Sequence, residues 1–283
     1  MKIAIVGAGR IGSTVGFHLA RGGHDVTLVA RGKRLEELQS AKTIEAVNGD
    51  RADVKAAAAL DEKEPWDLVV VTVLAHQVGA VLPALGASKA KHVMFMFNTF
   101  EKLDRLRDAV GGERFTMAFP NMTAFFVDGK LKSQVKGPGM VTTLGDDRWA
   151  KVFAAAGLPT EVRPDMESFL RSHAAFVAPM MVAANLAYPR NGGITWAEAK
   201  ELARAMDEAF AVVKGLGNTL VPGFVAAMAK MPTSTLAFML WSTSRAAVVR
   251  DLGAFGPTEA RELIDAFVAV APDATKTLQA VRP

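Results

Sequence analysis

One segment near the amino terminus constrains the fold of this chain more than any other feature. The apolar run at residues 2–6 leads directly into the spacing G-x-G-x-x-G, formed by Gly7, Ala8, Gly9, Arg10, Ile11 and Gly12. We expect Gly7 to permit a tight strand-to-helix turn, Gly9 to admit a pyrophosphate, and Gly12 to let the helix pack closely. The free N–H groups at the start of that helix would face the phosphates. The pattern predicts a dinucleotide-binding turn; the alternative is a glycine-rich turn of another α/β protein.

Apolar runs and amphipathic segments alternate through the first part of the chain. The β-branched run Leu68–Val73 is typical of a strand that is buried on both faces. The pattern predicts strands at 2–6, 25–30, 68–73 and 93–97, with helices at 10–22, 33–40, 76–85 and 101–109. This order predicts an α/β fold with a doubly wound parallel sheet.

The pattern changes after Phe115. Short extended pieces at 125–127, 131–135 and 140–144 are expected to add antiparallel strands to the sheet edge, before a helix at 147–156. From Asp165 onward the pattern is helical, and Thr195 with Glu198 predicts a capping box at the start of one helix. We therefore predict a nucleotide-binding domain at 1–164 and an all-helical domain at 165–283, with the ligand in the crevice between them.

Composition excludes several classes of protein. The chain of 283 residues contains no cysteine, which excludes disulfides, thiolate catalysis and zinc–thiolate sites, and we expect no metal site. Its net charge of +4 comes from basic residues that are scattered along the chain, which does not indicate nucleic-acid binding. The charge instead indicates a small anionic ligand. No stretch reaches the ~20 apolar residues of a membrane span, so we expect no membrane partner. The absence of cysteine suits a reducing cytosol, so we expect a cytoplasmic location.

Several segments together resemble the ketopantoate reductase (2-dehydropantoate 2-reductase) family. They are the glycine turn at 7–12, Gly23-His24-Asp25-Val26 leading to Arg31, Thr72-Val73-Leu74-Ala75-His76-Gln77-Val78, and Asn98 after a predicted strand. The resemblance implies a Rossmann domain followed by a helical domain like that of 6-phosphogluconate dehydrogenase. It also implies NADPH-dependent reduction of a 2-oxo acid or related ketone, cofactor contacts at Thr72 and Asn98, and a homodimer formed through the helical domain.

The chain departs from this family's pattern at several positions. Leu74 stands where the family's Thr-x-Lys-Ala segment has lysine, and Thr99-Phe100-Glu101 follows Asn98 in place of Gly-x-Gly. The positions of the family's general-acid lysine and of the asparagine four residues later are aligned with Arg171 and Ala175. These differences predict a carbonyl substrate other than ketopantoate.

Positive charge follows the second predicted strand. Arg31 lies nineteen residues after Gly12, where NAD-specific sites usually have an acidic residue that binds the ribose 2′-hydroxyl. An arginine there can bind a 2′-phosphate through two hydrogen bonds, and Lys33 and Arg34 add charge nearby. The pattern favours NADP over NAD; the alternative is an ordinary solvated loop.

Three residues are candidates for the chemistry. Asn98 could contact the nicotinamide ribose or the substrate, or it could be a turn former. Arg171 could bind a carboxylate, or it could pair with Glu167, four residues earlier on the same helix. His173 could be the proton donor, since an ordinary imidazole titrates near neutrality, or it could be a core histidine. Two other functions stay open: a catalytically silent NADPH-binding sensor or interaction protein, and an imine reductase.

Overall fold

The computed structural model describes residues 1–137, 139–190 and 192–283. They form two compact units. The first unit comprises Met1–Asn98 and Leu103–Met166, and the second comprises Thr99–Lys102 and Glu167–Pro283.

Strands occur throughout the first unit. In chain order they are β1 (Lys2–Val6), β2 (Asp25–Val29), β3 (Thr43–Glu45), β4 (Arg51–Asp53), β5 (Lys55–Ala57), β6 (Leu68–Val71), β7 (Val93–Met96), β8 (Phe115–Phe119), β9 (Thr123–Val127), β10 (Lys130–Gln134), β11 (Thr142–Leu144) and β12 (Thr160–Val162). Eight of them form one sheet in the order β12-β11-β8-β7-β6-β1-β2-β5.

The sheet is mostly parallel. The pairs from β5 across to β8 are all parallel, β11 runs antiparallel to β8, and β12 runs parallel to β11. Every residue of β6 and β7 is buried, as expected where helices cover both faces of a parallel sheet. The predicted doubly wound α/β fold is therefore confirmed, and the four predicted strands are present with small differences at their ends.

The described residues also form helices. They are α1 (Arg10–Arg21), α2 (Gly32–Ala41), α3 (Leu82–Ala87), α4 (Asp104–Val110), α5 (Ala150–Ala155), α6 (Met166–Ala187), α7 (Trp196–Gly215), α8 (Gly223–Met228), α9 (Thr233–Thr243), α10 (Ala247–Leu252), α11 (Thr258–Val270) and α12 (Lys276–Ala280), with 3₁₀ turns at Ala75–Ala80, Gly253–Phe255 and Pro272–Ala274. Within the described residues, none of these helices is both long and apolar enough to cross a membrane.

The helical second unit has its own core. Fully buried side chains from α7 and α11, including Phe210 and Phe267, belong to one apolar cluster. The predicted capping box at the start of α7 is confirmed: Thr195 Oγ1 accepts a hydrogen bond from the Glu198 amide at 3.2 Å, and the Glu198 carboxylate accepts one from the Thr195 amide at 2.7 Å. This reciprocal pair gives partners to amide groups that have none within the helix.

Two local predictions were wrong. The extended pieces near 125–127 and 131–135 do not join the sheet edge; β9 and β10 pair with each other as a separate hairpin. Asp128 and Gly129 both have positive φ, as two-residue hairpin turns require, so the chain folds back on itself at once. The predicted helix at 76–85 is instead a 3₁₀ turn followed by α3, because Pro83 lacks an amide donor and favours the first turn of a new helix.

Candidate cofactor site and catalytic residues

The predicted cofactor residues of the first unit lie at one edge of its sheet. Gly7 follows β1, Arg31 comes two residues after β2, Thr72 follows β6, and Asn98 comes two residues after β7. These four strands are neighbours and parallel, so their carboxyl ends share an edge. In the sheet, β1 has β2 as its neighbour on one side and β6 as its neighbour on the other, so the strand order changes direction at β1. Such a topological switch point is where open α/β sheets bind ligands.

Two glycines of the turn are required by its close packing. Gly7 has a φ of +110°, a conformation that residues with a side chain rarely adopt. A Cβ on Gly12 would lie 1.8 Å from the Gly7 carbonyl oxygen and 2.5 Å from Thr72 Oγ1. These contacts match the roles predicted for the first and third glycines.

Gly9 is different because nothing surrounds the position of its absent side chain. A Cβ on Gly9 would meet no atom within 4 Å, and the residue is exposed. Gly9 is also the N-cap of α1, and among the described residues no side chain forms a capping hydrogen bond there. An open cradle at a helix amino terminus, with its first amide groups available, fits the pyrophosphate of a dinucleotide.

The other residues of the turn support this geometry. The Ala8 carbonyl oxygen accepts hydrogen bonds from Ser13 Oγ at 3.1 Å and from Arg34 Nε at 3.3 Å. Arg10 begins α1, and Ile11 packs partly against the core of the first unit. The backbone of this segment is therefore held from its inner side.

Arg31 and Lys33 are placed differently from Arg34. Arg31 is exposed at the start of α2 and forms no hydrogen bond or ion pair with another described residue. Lys33 is exposed as well, with only a 3.9 Å ion pair to Glu37. Arg34 instead donates hydrogen bonds to Ala8 and Ser13 of the turn and to Glu37. Of the three cations, Arg31 and Lys33 are therefore the ones available to an anionic ligand.

Thr72 and Asn98 lie just after the carboxyl ends of the adjacent strands β6 and β7, and for Asn98 this position was predicted. Thr72 Oγ1 donates to the Gly7 carbonyl oxygen at 2.7 Å, so its hydroxyl braces the turn. A direct contact between this hydroxyl and a cofactor stays a prediction. Asn98 is half-buried and ends the first stretch of the first unit.

Arg171 lies in the second unit with several protein partners. Its guanidinium contacts Glu167 Oε1 at 2.9 Å, donates to Asn218 Oδ1 at 2.7 Å and to the Phe100 carbonyl oxygen at 3.3 Å, and stacks over the Phe100 ring. The side chain is only 8% exposed. The ion pair with Glu167 that the helical spacing predicts is present. This environment favours a structural role, and carboxylate binding by Arg171 stays a prediction.

His173 lies one half-turn further along α6, close to Phe169, with the two rings stacked at 6.3 Å. Burial of the imidazole lowers the pKa of His173 to about 4, because the charged form is poorly solvated there. The sequence-based argument for a proton donor assumed an ordinary pKa near 6.5. At pH 7 this imidazole is neutral, which favours a role as a neutral hydrogen-bonding group, and proton donation by His173 stays a prediction.

Sequence reasoning missed three residues that hold these candidates in place. Ser13 and Phe126 contact Arg34, and Asn218 contacts Arg171. Ser13 carries a weak local signal, since it lies four residues after Gly9 at the start of a predicted helix. The contacts of Phe126 and Asn218 bridge long stretches of chain and have no local signature.

Comparison with known proteins agrees with this arrangement. The model of the ketopantoate reductase PanE/ApbA family matches residues 3–147. A 2-dehydropantoate 2-reductase of Pyrococcus horikoshii is 37% identical over 83 residues, which are 29% of this chain and 27% of that protein. The matched segment thus spans about a quarter of that relative's length.

Two solved structures share the fold over the whole chain. The 2-dehydropantoate 2-reductase of Geobacter metallireducens is 20% identical with a TM-score of 0.75, covering 100% of this chain and 98% of that one. A D-mandelate dehydrogenase in complex with NADH is 16% identical with a TM-score of 0.71, covering 100% and 97%. Because the family model matches just over half of the sequence, the chain belongs to the ketopantoate reductase PanE/ApbA family.

Proposed function

We propose that this protein is an NADPH-dependent oxidoreductase that reduces the carbonyl group of a 2-oxo acid or related ketone other than ketopantoate. The observation that carries the proposal is the open cradle at Gly9, at the amino end of α1. Arg31 and Lys33 are exposed at the start of α2, the helix whose Arg34 contacts this turn. Family membership supports the reaction class, and a fold neighbour has been solved with NADH. The cofactor would supply hydride from nicotinamide C4 to the carbonyl carbon.

The candidate residues other than Arg171 and Thr72 have distinct parts in this proposal. The amides of the turn bind the pyrophosphate, and Arg31 with Lys33 binds the 2′-phosphate. Asn98, after β7, orients the nicotinamide ribose or the substrate. His173 donates a hydrogen bond to the carbonyl oxygen as a neutral imidazole, and water supplies the proton that completes the alcohol. We also propose a homodimer and a cytoplasmic location, as the family resemblance and the lack of cysteine suggest.

A panel of substrates tests the function directly. Purified protein is titrated with NADPH and NADH by calorimetry, and NADPH oxidation is then followed with 2-oxo acids, ketones and cyclic imines. Turnover of 2-oxo acids or ketones supports the proposal. Turnover of imines alone would make the protein an imine reductase, which a neutral His173 suits because an imine can arrive already protonated. Tight NADPH binding without turnover would indicate a silent NADPH-binding protein.

Arg31→Glu should separate NADPH from NADH binding. We expect the Kd of NADPH to rise about 100-fold, because charge-assisted hydrogen bonds to the 2′-phosphate are replaced by repulsion, while the Kd of NADH changes less than about threefold. Calorimetric titration measures both. Lys151→Glu, on α5, which contacts the outermost strand β12, controls for the change in net charge. An equal loss of affinity for both dinucleotides would show that Arg31 does not bind the 2′-phosphate.

His173→Ala should lower kcat about 100-fold if the imidazole polarises the carbonyl. In the unaltered protein we expect kcat to show no titration near pH 6.5, because the pKa of His173 is about 4. A stopped-flow pH profile from 5.5 to 8 measures this. A kcat that follows a group of pKa near 6.5 and loses that dependence in His173→Ala would contradict the neutral imidazole.

Stability provides a second readout of the same titration. The folded-state pKa of His173 lies below the ordinary unfolded value, so the unfolded chain binds the proton first as pH falls. The free energy of unfolding should therefore be fully retained above about pH 6.5 and should drop by on the order of 2 kcal/mol towards pH 4. Urea unfolding of the original protein and of His173→Ala at both pH values measures this contribution. It is the difference between the two proteins in how far the free energy of unfolding falls from about pH 6.5 to about pH 4.

A further inference from the structure

Arg34 connects α2 to the inner side of the glycine turn. Its Nε donates to the Ala8 carbonyl oxygen at 3.3 Å and its Nη2 donates to Ser13 Oγ at 3.1 Å. A third nitrogen, Nη1, donates to Glu37 Oε2 at 3.2 Å on the same helix. The fork of the guanidinium thus spans two groups of the turn, which the single ammonium of a lysine cannot reproduce.

The hydrogen bonds converge on one peptide group. Ser13 is fully buried, and its hydroxyl donates to the Ala8 carbonyl oxygen at 3.1 Å while it accepts from Arg34. Two donors therefore hold the Ala8 carbonyl on the inner side of the turn. Since a trans peptide is planar and its C=O and N–H point in opposite directions, the Gly9 amide is directed away from Arg34.

An aromatic ring covers the guanidinium on another side. The Phe126 ring of β9 lies 4.6 Å from the Arg34 carbon Cζ, in the position of a cation–π contact. The β9–β10 hairpin thus reaches the glycine turn through Arg34. A side chain held by the turn, a helix carboxylate and a ring has little freedom to leave its position.

We infer that Arg34 is a positioning residue for the dinucleotide. It holds the Ala8–Gly9 peptide so that the Gly9 amide faces the phosphate cradle, and Phe126 holds Arg34 in place. The inference rests on the proposed function, because it requires that the turn bind a dinucleotide. The pyrophosphate is common to NADPH and NADH, so Arg34 acts on both alike, whereas Arg31 discriminates between them.

The test compares Arg34→Lys and Arg34→Met with the original protein. We expect each variant to raise the Kd of NADPH and of NADH by about tenfold, since each loses charge-assisted hydrogen bonds to the turn. In cofactor-free protein, the Ser13 amide, bonded to the Gly9 carbonyl at 2.8 Å, should exchange with deuterium about tenfold faster. Phe126→Leu, which keeps the hydrogen bonds, should raise both Kd values about twofold.

Arg107→Met is the matched control. Arg107 also pairs with a carboxylate three residues away on its helix, Asp104, and its Cζ lies 5.1 Å from the Phe115 ring, but it lies on α4. Dinucleotide affinity and Ser13 exchange should not change in this variant.

Three results would overturn the inference. If Arg34→Lys binds both dinucleotides as tightly as the original protein, the positive charge alone matters. If the variants lose affinity for NADPH but not for NADH, Arg34 lies at the 2′-phosphate. In both cases the original protein still binds NADPH, so the proposed function stands. Failure of the original protein to bind either dinucleotide would overturn the proposed function and this inference together.

Discussion

Gly9→Ala is expected to abolish tight dinucleotide binding while leaving the fold intact. The added Cβ meets no protein atom within 4 Å, so it occupies the open cradle where phosphates must approach the backbone. We expect the Kd of NADPH and NADH to rise at least about 100-fold, while the free energy of unfolding changes by less than about 1 kcal/mol. Calorimetric titration and urea unfolding measure the two quantities.

Gly215→Ala is the control for this substitution. Gly215 ends α7 in the second unit, and a Cβ there also meets nothing within 4 Å. Both affinity and stability should stay close to those of the original protein. Original affinity in Gly9→Ala would show that no phosphate approaches this turn, and the dinucleotide site would then have to lie elsewhere.

Gly12→Ala should have the opposite signature, a large loss of stability. Its Cβ would lie 1.8 Å from the Gly7 carbonyl oxygen and 2.5 Å from Thr72 Oγ1, which are backbone and short side-chain atoms that cannot move aside without opening the turn. We expect the free energy of unfolding to fall by about 3 kcal/mol or more, with dinucleotide binding lost as well. Urea unfolding monitored by circular dichroism measures the change.

Gly16→Ala, one turn further along α1, is the matched control. Its Cβ would meet flexible side-chain ends, Leu28 Cδ2 at 3.1 Å and Ile5 Cδ1 at 3.3 Å, and alanine favours helix. The two effects should nearly offset each other, to within about 1 kcal/mol. An unchanged urea midpoint in Gly12→Ala would mean that the close contact between α1 and the turn does not contribute to stability.

The two substitutions together separate the two uses of glycine in this motif. Alanine at position 9 would occupy space that the phosphates need, whereas alanine at position 12 would clash with the backbone of the turn. A glycine turn that binds no dinucleotide would still lose stability in Gly12→Ala, but Gly9→Ala would leave it unaffected. A dinucleotide-binding turn loses affinity without stability only at the middle glycine.

Much of the first unit could be predicted because its signals are local. A β-branched run such as Leu68–Val71 has few alternatives to a buried strand, and alternation with amphipathic segments leads to a parallel sheet. The predictions failed where two local signals competed. At 125–135 the extended pattern is correct, but the Asp128-Gly129 turn decides that β9 pairs with β10. The short strands β3, β4, β5 and β12 have three residues each, too few for a periodic pattern.

In the candidate site, too, the local relations could be predicted and the long-range contacts could not. Sequence spacing correctly indicated the roles of Gly7 and Gly12 in the turn and the Glu167–Arg171 pair, since these relations span a few residues of one turn or one helix. The environment of His173 depends on surrounding packing, and the lowered pKa that follows from it has no sign in the sequence.

The three cations after β2 illustrate the difference most clearly. The spacing from Gly12 indicated Arg31 as the residue for a 2′-phosphate, but it did not separate the roles of Lys33 and Arg34. Folding brings Ala8, 26 residues away in sequence, and the ring of Phe126 to Arg34, and it leaves Arg31 exposed. Helix and strand periodicity is a property of neighbouring residues, so the chain's order of residues suffices to predict the turn and its sheet. Which charged group is held and which stays available depends on contacts between distant segments, and these exist only once the hairpin, α1 and α2 have packed together.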